Sequence, residues 1–315
     1  MGSLPCDYVP WYTQLYLRKV ALVIFAMALP LAANKMDTNL NQAGCGELGS
    51  NGRIYNGKPI SNEKMPWIVQ ITGIFHLWTN HISSCGGSII TRNLILTAAH
   101  CLFNKGAFAQ MVLVVYSSNL YMNGKTLLAE KMILHPKYVN KLVIQHDVAL
   151  LKLAVDLVFD RRIKPVCLPT AKMDLAGKTL VVAGWGRTES ANNSKILLHA
   201  EVVALADDVC QALLRRTMHP ITRRPLPPGP AICASGENQS VCRGDSGGPL
   251  TLTNDDGRTL QVGVVSAGVR CPSDSPGMYR SVSSHIKWIQ SALNHPRKWR
   301  QLAYTRKEGN IGEAK

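Results

Sequence analysis

Between residues 54 and 282 the chain alternates short apolar runs with clusters of Gly, Pro, Asn and Asp. Trp67–Ile71, Leu94–Thr97, Met111–Tyr116, Val148–Leu153, Leu180–Ala183, Leu250–Leu252, Gln261–Ser266 and Met278–Val282 are typical. Short β-branched runs bounded by turn residues predict strands, and their close spacing predicts an all-β barrel or sandwich. No strand–helix alternation and no repeat of fixed period interrupts them. One helix is predicted near the end, where Ile286, Ile289 and Leu293 share a face and Ser283 or Ser284 is placed to cap it.

Composition narrows the class. The 315 residues carry 46% hydrophobic and 17% charged positions, which excludes a mainly disordered chain. Residues 1–33 read as a signal peptide: Arg18-Lys19, then the apolar Val20–Leu29, then Pro30-Leu31-Ala32-Ala33. The alternative is a signal-anchor over residues 20–33, whose length of about 21 Å is short of a ~30 Å hydrocarbon core. Removal of the signal would take Cys6 with it, leaving eight of the 9 cysteines. An even set reads as a disulfide framework and a secreted, extracellular protein. No Cys-x-x-Cys or His-Glu-x-x-His pattern is present, so neither a metal nor a cofactor is expected.

Residues 34–53 are polar and Gly-rich and read as a propeptide or activation segment, with Lys35 and Arg53 balanced by Asp37 and Glu47. Residues 295–315 read as a basic tail, where Arg297, Lys298, Arg300, Arg306, Lys307 and Lys315 outweigh Glu308 and Glu313. The whole chain has a net charge of +15. Aromatics do not interleave with the basic positions, so nucleic acid is excluded as a partner, and solubility, anionic glycans or acidic substrates remain. Asn192 begins a glycosylation sequon.

Gly244-Asp245-Ser246-Gly247-Gly248-Pro249 is the most informative stretch. A serine among glycines lets a substrate approach the backbone closely. The stretch also fits the Gly-x-Ser-x-Gly elbow of α/β-hydrolases, but that fold needs a parallel sheet upstream and a helix after the serine. Short strands without helices precede it, and Pro249 suits a turn into a strand. The order His, Asp, Ser fits instead. His100 follows an apolar run beside Cys101, and Asp147 stands at the mouth of Val148–Leu153, where a shielded acid holds an imidazole in one tautomer.

With these residues in place the chain resembles trypsin/chymotrypsin-type serine protease zymogens over about residues 45–293. The shared landmarks are Arg53-Ile54-Tyr55-Asn56-Gly57, Pro66-Trp67, Cys85-Gly86-Gly87-Ser88, Thr97-Ala98-Ala99-His100-Cys101, Asp147-Val148-Ala149-Leu150-Leu151, Gly184-Trp185-Gly186, Gly244–Pro249 and Ser266-Ala267-Gly268. The resemblance implies two packed six-stranded antiparallel β-barrels with a short C-terminal helix, forming a protease domain over 54–294. It makes His100 the base, Asp147 its orienter and Ser246 the nucleophile. The amides of Gly244 and Ser246 form the oxyanion hole. It also implies activation by cleavage after Arg53, with the new Ile54 ammonium pairing with Asp245. The disulfides implied are Cys45–Cys167, Cys85–Cys101, Cys210–Cys233 and Cys242–Cys271. A further family bridge would join positions 180 and 252, both leucine here, where an apolar contact is expected instead.

The specificity pocket aligns with Ser240 at its base and Val241, Gly268 and Gly277 at its walls. No acid lies there, so a large apolar P1 residue is expected rather than Arg or Lys. Ser266 matches the family serine that hydrogen-bonds the buried aspartate and is counted, with Gly268 and Arg243, among the expected substrate-side residues. Ala267 stands where the family usually has Trp, which weakens an upstream subsite. The function expected is a secreted serine endopeptidase acting on proteins or peptides. It would need a trypsin-like activator and would meet protease inhibitors or anionic glycans. The alternative is a weakly active homologue acting as a binding or regulatory module.

Overall fold

In the computed structural model, the residues described are 35–48, 59–76, 81–140, 144–188, 193–210, 212, 231–236, 244–267 and 276–302. The apolar runs form the strands they predict. Six antiparallel strands build the first barrel: β1 (Ile68–His76), β2 (His81–Ile89), β3 (Leu94–Thr97), β4 (Met111–Tyr116), β5 (Lys125–Leu134) and β6 (Ala149–Leu153). β6 closes it by pairing with β3, Ala149 opposite Thr97, and with β5, Ala149 opposite Leu134. Six more antiparallel strands close the second barrel: β7 (Thr179–Gly184), β8 (Leu198–Ala204), β9 (Ala231–Ser235), β10 (Pro249–Thr253), β11 (Thr259–Ala267) and β12 (Gly277–Ser281). Closure removes the free strand edges that an open sheet would present.

β1 is buried on both faces rather than alternating. Its inward residues fill the barrel, and its outward polar residues are covered by a loop. Gln70 Nε2 donates to the Leu120 carbonyl at 3.2 Å and its Oε1 accepts from Met122 N–H at 2.5 Å. A glutamine so satisfied is buried at little cost, because both ends of its amide replace water.

The helix α1 (Val282–Asn294) buries Ile286, Ile289 and Leu293, as its periodicity predicts. Its cap is Ser281, not Ser283 or Ser284, with Ser281 Oγ accepting from Ser284 N–H at 3.4 Å. β12 runs straight into the helix, so the last extended residue is Ser281 and the two later serines already lie in the first turn. In the second barrel, Leu180 is buried and Leu252 packs against the same apolar cluster.

Beyond α1 the packed body continues. A 3₁₀ turn over Pro296–Lys298 leads into β13 (Arg300–Gln301), which pairs with Met132 and Lys131 of β5. Trp299 and Leu302 are buried in the apolar cluster that first-barrel residues share with the helix. The positions before 303 are therefore not a solvated basic tail: charged residues alternate with large apolar ones that have a place to go. Among the described residues no helix is long and apolar enough to cross a membrane.

Candidate active site

The site starts where β3 ends. After Thr97 the chain makes a 3₁₀ turn over Ala99–Cys101, and the Cys85–Cys101 disulfide pins that turn to β2. The turn aims His100 at Asp147, which stands just before β6. Asp147 Oδ2 accepts from His100 Nδ1 at 2.7 Å and from Ser266 Oγ at 2.6 Å, while Oδ1 accepts from the His100 backbone N–H at 2.9 Å. A carboxylate only accepts, so the His100 proton sits on Nδ1 and the lone pair is on Nε2.

Asp147 is wholly buried, whereas the His100 side chain keeps 22% of its surface. Burial pushes the Asp147 carboxyl up. The neighbouring His100 and the hydrogen bonds from His100 and Ser266 more than offset this and hold it below its usual range. For His100, burial acts downward, and the Asp147 carboxylate with its hydrogen bond raises the imidazole overall. Ser266, on β11, links a further group that the sequence did not disclose. Its Oγ accepts from Arg280 Nε at 3.3 Å, and Arg280 Nη2 donates to the Ile144 carbonyl at 2.5 Å. Only the folded register of β11 and β12 brings this buried arginine to the acid.

Ser246 lies on a turn leading into β10. Gly244 and Gly247 hold φ of +100° and +80°, which side chains rarely adopt. A Cβ on Gly247 would also stand 2.3 Å from Thr97 Oγ1 and 2.5 Å from the Gly86 carbonyl. The turn is fastened on several sides: Gly247 N–H to Val265 O (2.7 Å), Gly248 N–H to Asp245 O (2.9 Å) and Gly86 N–H to Ser246 O (2.7 Å). The Ser246 carbonyl is 3.7 Å from Cys101 Sγ, beside His100.

Asp245 points the other way, into the body. Its Oδ1 accepts from Gly186 N–H at 2.8 Å, and a Cβ on Gly186 would meet Oδ2 at 2.3 Å. Close approach of this carboxylate is the physical reason for glycine there. Trp185, between Gly184 and Gly186, is buried and donates from Nε1 to Asn119 O at 3.1 Å.

Of the expected disulfides, Cys45–Cys167, Cys85–Cys101 and Cys210–Cys233 are formed. Cys242 and Cys271 lie outside the described residues, as do Arg53, Ile54, Asn192, Ser240, Val241, Arg243 and Gly268. Gly277 opens β12 and is buried. Ala267 ends β11, its backbone opposite Met278.

Comparison with known proteins agrees with this geometry. The family model described as Trypsin matches residues 54–289. Serine protease 7 of Drosophila melanogaster is 32% identical over 271 residues, covering 79% of this chain and 67% of its own length. Serine proteinase stubble and serine protease filzig, from the same organism, are each 32% identical over 255 and 249 residues. They match 78% and 76% of this chain, which spans only 31% and 14% of their lengths. With two closed barrels and a family match over most of its length, the chain belongs to the trypsin family and is a chymotrypsin-like serine endopeptidase.

Proposed function

We propose that His100, Asp147 and Ser246 are the catalytic residues of a secreted endopeptidase made as a zymogen. The observation that carries this is the buried Asp147 carboxylate, bonded to His100 through both backbone and Nδ1. It leaves Nε2 basic and readies the ring to become an imidazolium. His100 takes the Ser246 hydroxyl proton as Oγ attacks the scissile carbonyl, then passes that proton to the leaving amine as the acyl-enzyme forms. A water attacks the acyl group with His100 again as base, and the proton returns to Ser246 as the acid product leaves. The amides of Gly244 and Ser246 hold the oxyanion, a contribution typically worth ~10²–10³ in turnover per donor.

Activation is by a cut after Arg53. The freed Ile54 ammonium pairs with Asp245, whose carboxylate already faces inward against Gly186. Loss of one partner of a buried pair costs roughly 3–5 kcal/mol, enough to bias the loop between inactive and active states. Cys45–Cys167 keeps the leading segment attached. The P1 residue is large and apolar, because Ser240 puts no acid at the pocket base. With that preference the enzyme does not cut its own Arg53.

Labelling with a fluorophosphonate after cleavage at Arg53 tests the catalytic assignment: Ser246 is modified, and unmodified Ser246 overturns it. A peptide-library profile then tests specificity. Preference for Arg over Phe, Tyr, Leu and Met would refute the apolar pocket.

A further inference from the structure

Beside the Asp147 turn stand three histidines, two from the segment that joins β5 to β6 and one from α1. His135 follows β5, His146 directly precedes Asp147, and His285 lies in the first turn of α1. One ring nitrogen from each lies within 4.8 Å of one from each of the others. His146 Nδ1 and His285 Nε2 are 3.2 Å apart. His285 Nδ1–H donates to the Ser281 carbonyl at 2.7 Å, which fixes its tautomer and turns the Nε2 lone pair toward His146. His135 stacks on His146, with ring centres 4.5 Å apart, and meets His285 edge-on at 5.2 Å. The Trp288 ring lies 5.0 Å from His135.

We propose that His135, His146 and His285 form a binding site for one zinc-class divalent ion, and that its occupation slows hydrolysis by shifting the Asp147 turn. Two tetrahedral ligands at zinc–nitrogen distances of about 2.0–2.1 Å stand about 3.3 Å apart, close to the His146–His285 spacing. Three imidazoles leave a fourth position for water, and imidazole selects zinc, copper or nickel over calcium or magnesium. The carbonyl behind His285 is the kind of outer partner that orients a ligating histidine. His135 completes the set by giving up its acceptor bond from Lys137 N–H, which at 3.2 Å is long, and tilting out of its stack. Among the described residues the other His/Cys group, Cys85 with His100 and Cys101, offers no rival site, because Cys85 and Cys101 are joined in a disulfide.

A hydrogen-bonded pair, His146 with His285, would serve a purely structural role without His135. The third ring and its convergence point to a ligand. Coupling to the active site follows from the backbone. His146 holds φ of +47°, and its carbonyl accepts from Val148 N–H at 2.8 Å, so Asp147 is the middle residue of a tight turn. A pull on the His146 ring moves the carboxylate that orients His100. The slowing of hydrolysis rests on the protease assignment; ion binding does not.

The experiment has two arms. Calorimetric titration of the full chain carrying Ser246→Ala with Zn²⁺ is expected to give one ion per chain, with a change in tryptophan fluorescence as His135 leaves Trp288. Loss of even an outer partner weakens metal sites by ~10–100-fold, so His146→Asn and His285→Tyr, each losing a direct ligand, should bind roughly 100-fold more weakly or worse. Absence of stoichiometric binding, or unchanged affinity in both variants, overturns the site. In the cut enzyme, the same Zn²⁺ concentration should slow peptide hydrolysis reversibly toward chelator, and His285→Tyr should be insensitive. Binding without slowing overturns the coupling to Asp147. Zinc binding in a chain whose Ser246 resists fluorophosphonate would instead sink the protease assignment and leave the site standing.

Discussion

The backbone N–H of Gly86, on β2, donates to the carbonyl of Ser246, on the turn before β10, at 2.7 Å. The first barrel thus grips the serine turn of the second. The grip is continued by Thr97 Oγ1, which donates to the Gly86 carbonyl at 2.8 Å. Thr97 ends the strand that leads to His100, so serine and histidine are referenced to the same two strands.

Gly247→Ala tests how closely that grip is set. A residue with φ of +80° pays about 1–2 kcal/mol for its conformation alone. The added Cβ also meets Thr97 and the Gly86 carbonyl. A lowered melting temperature and a loss of fluorophosphonate reactivity larger than the stability loss explains are expected. Wild-type reactivity at wild-type stability would contradict the tight seam.

Asp147→Asn leaves a partner of similar shape but one that does not fix the His100 tautomer. A fall of about 10⁴ in kcat is expected, with little change in KM. Active-site titration beside steady-state kinetics checks it.

The pH profile carries a sign. Asp147 raises the His100 pKa, so the acid limb of kcat/KM should have its midpoint above the ordinary imidazole value near 6.5. Asp147→Asn removes the raising influence and leaves burial, which acts downward, so its residual activity should show an acid limb at lower pH. A wild-type midpoint below 6.5 would contradict the assignment.

After cleavage at Arg53, the Cys45–Cys167 bridge predicts one band on a non-reducing gel and two on a reducing one. Cys45→Ser should release the leading fragment under both conditions.

Trp299→Ala should destabilise the protein by about 3–5 kcal/mol, as for other buried aromatics. The same change also removes one of two donors to the Ala292 carbonyl, which accepts from Trp299 Nε1 at 2.9 Å and from His295 N–H at 3.2 Å. Denaturant unfolding measures the effect, and a change within 0.5 kcal/mol, roughly the scale of surface positions, would mean the segment is not docked.

The barrels were legible because they are written locally, and so were the residues proposed as catalytic. Each strand is a short apolar run, and His100, Asp147 and Ser246 each sit in a motif a few residues long. What escaped is written across the chain. Arg280 reaches Ser266 only through strand pairing, and His135, His146 and His285 meet only when α1 packs beside the Asp147 turn. Trp299 and Leu302 were hidden for another reason: averaged over residues 295–315 the composition is basic, while position by position two large apolar residues face a core.

The docking of β13 on β5 also sets an order of events. Leu302 N–H donates to the Glu130 carbonyl at 3.0 Å, so the first barrel is sheathed by residues made after the whole second barrel. During synthesis the earlier half therefore emerges with an uncovered apolar seam, and its finishing piece arrives last. Long-range closure of this kind slows folding and leaves the nascent half in need of protection. Folding of the first barrel is thus complete only once β13, which follows the second barrel in the chain, has been laid against β5.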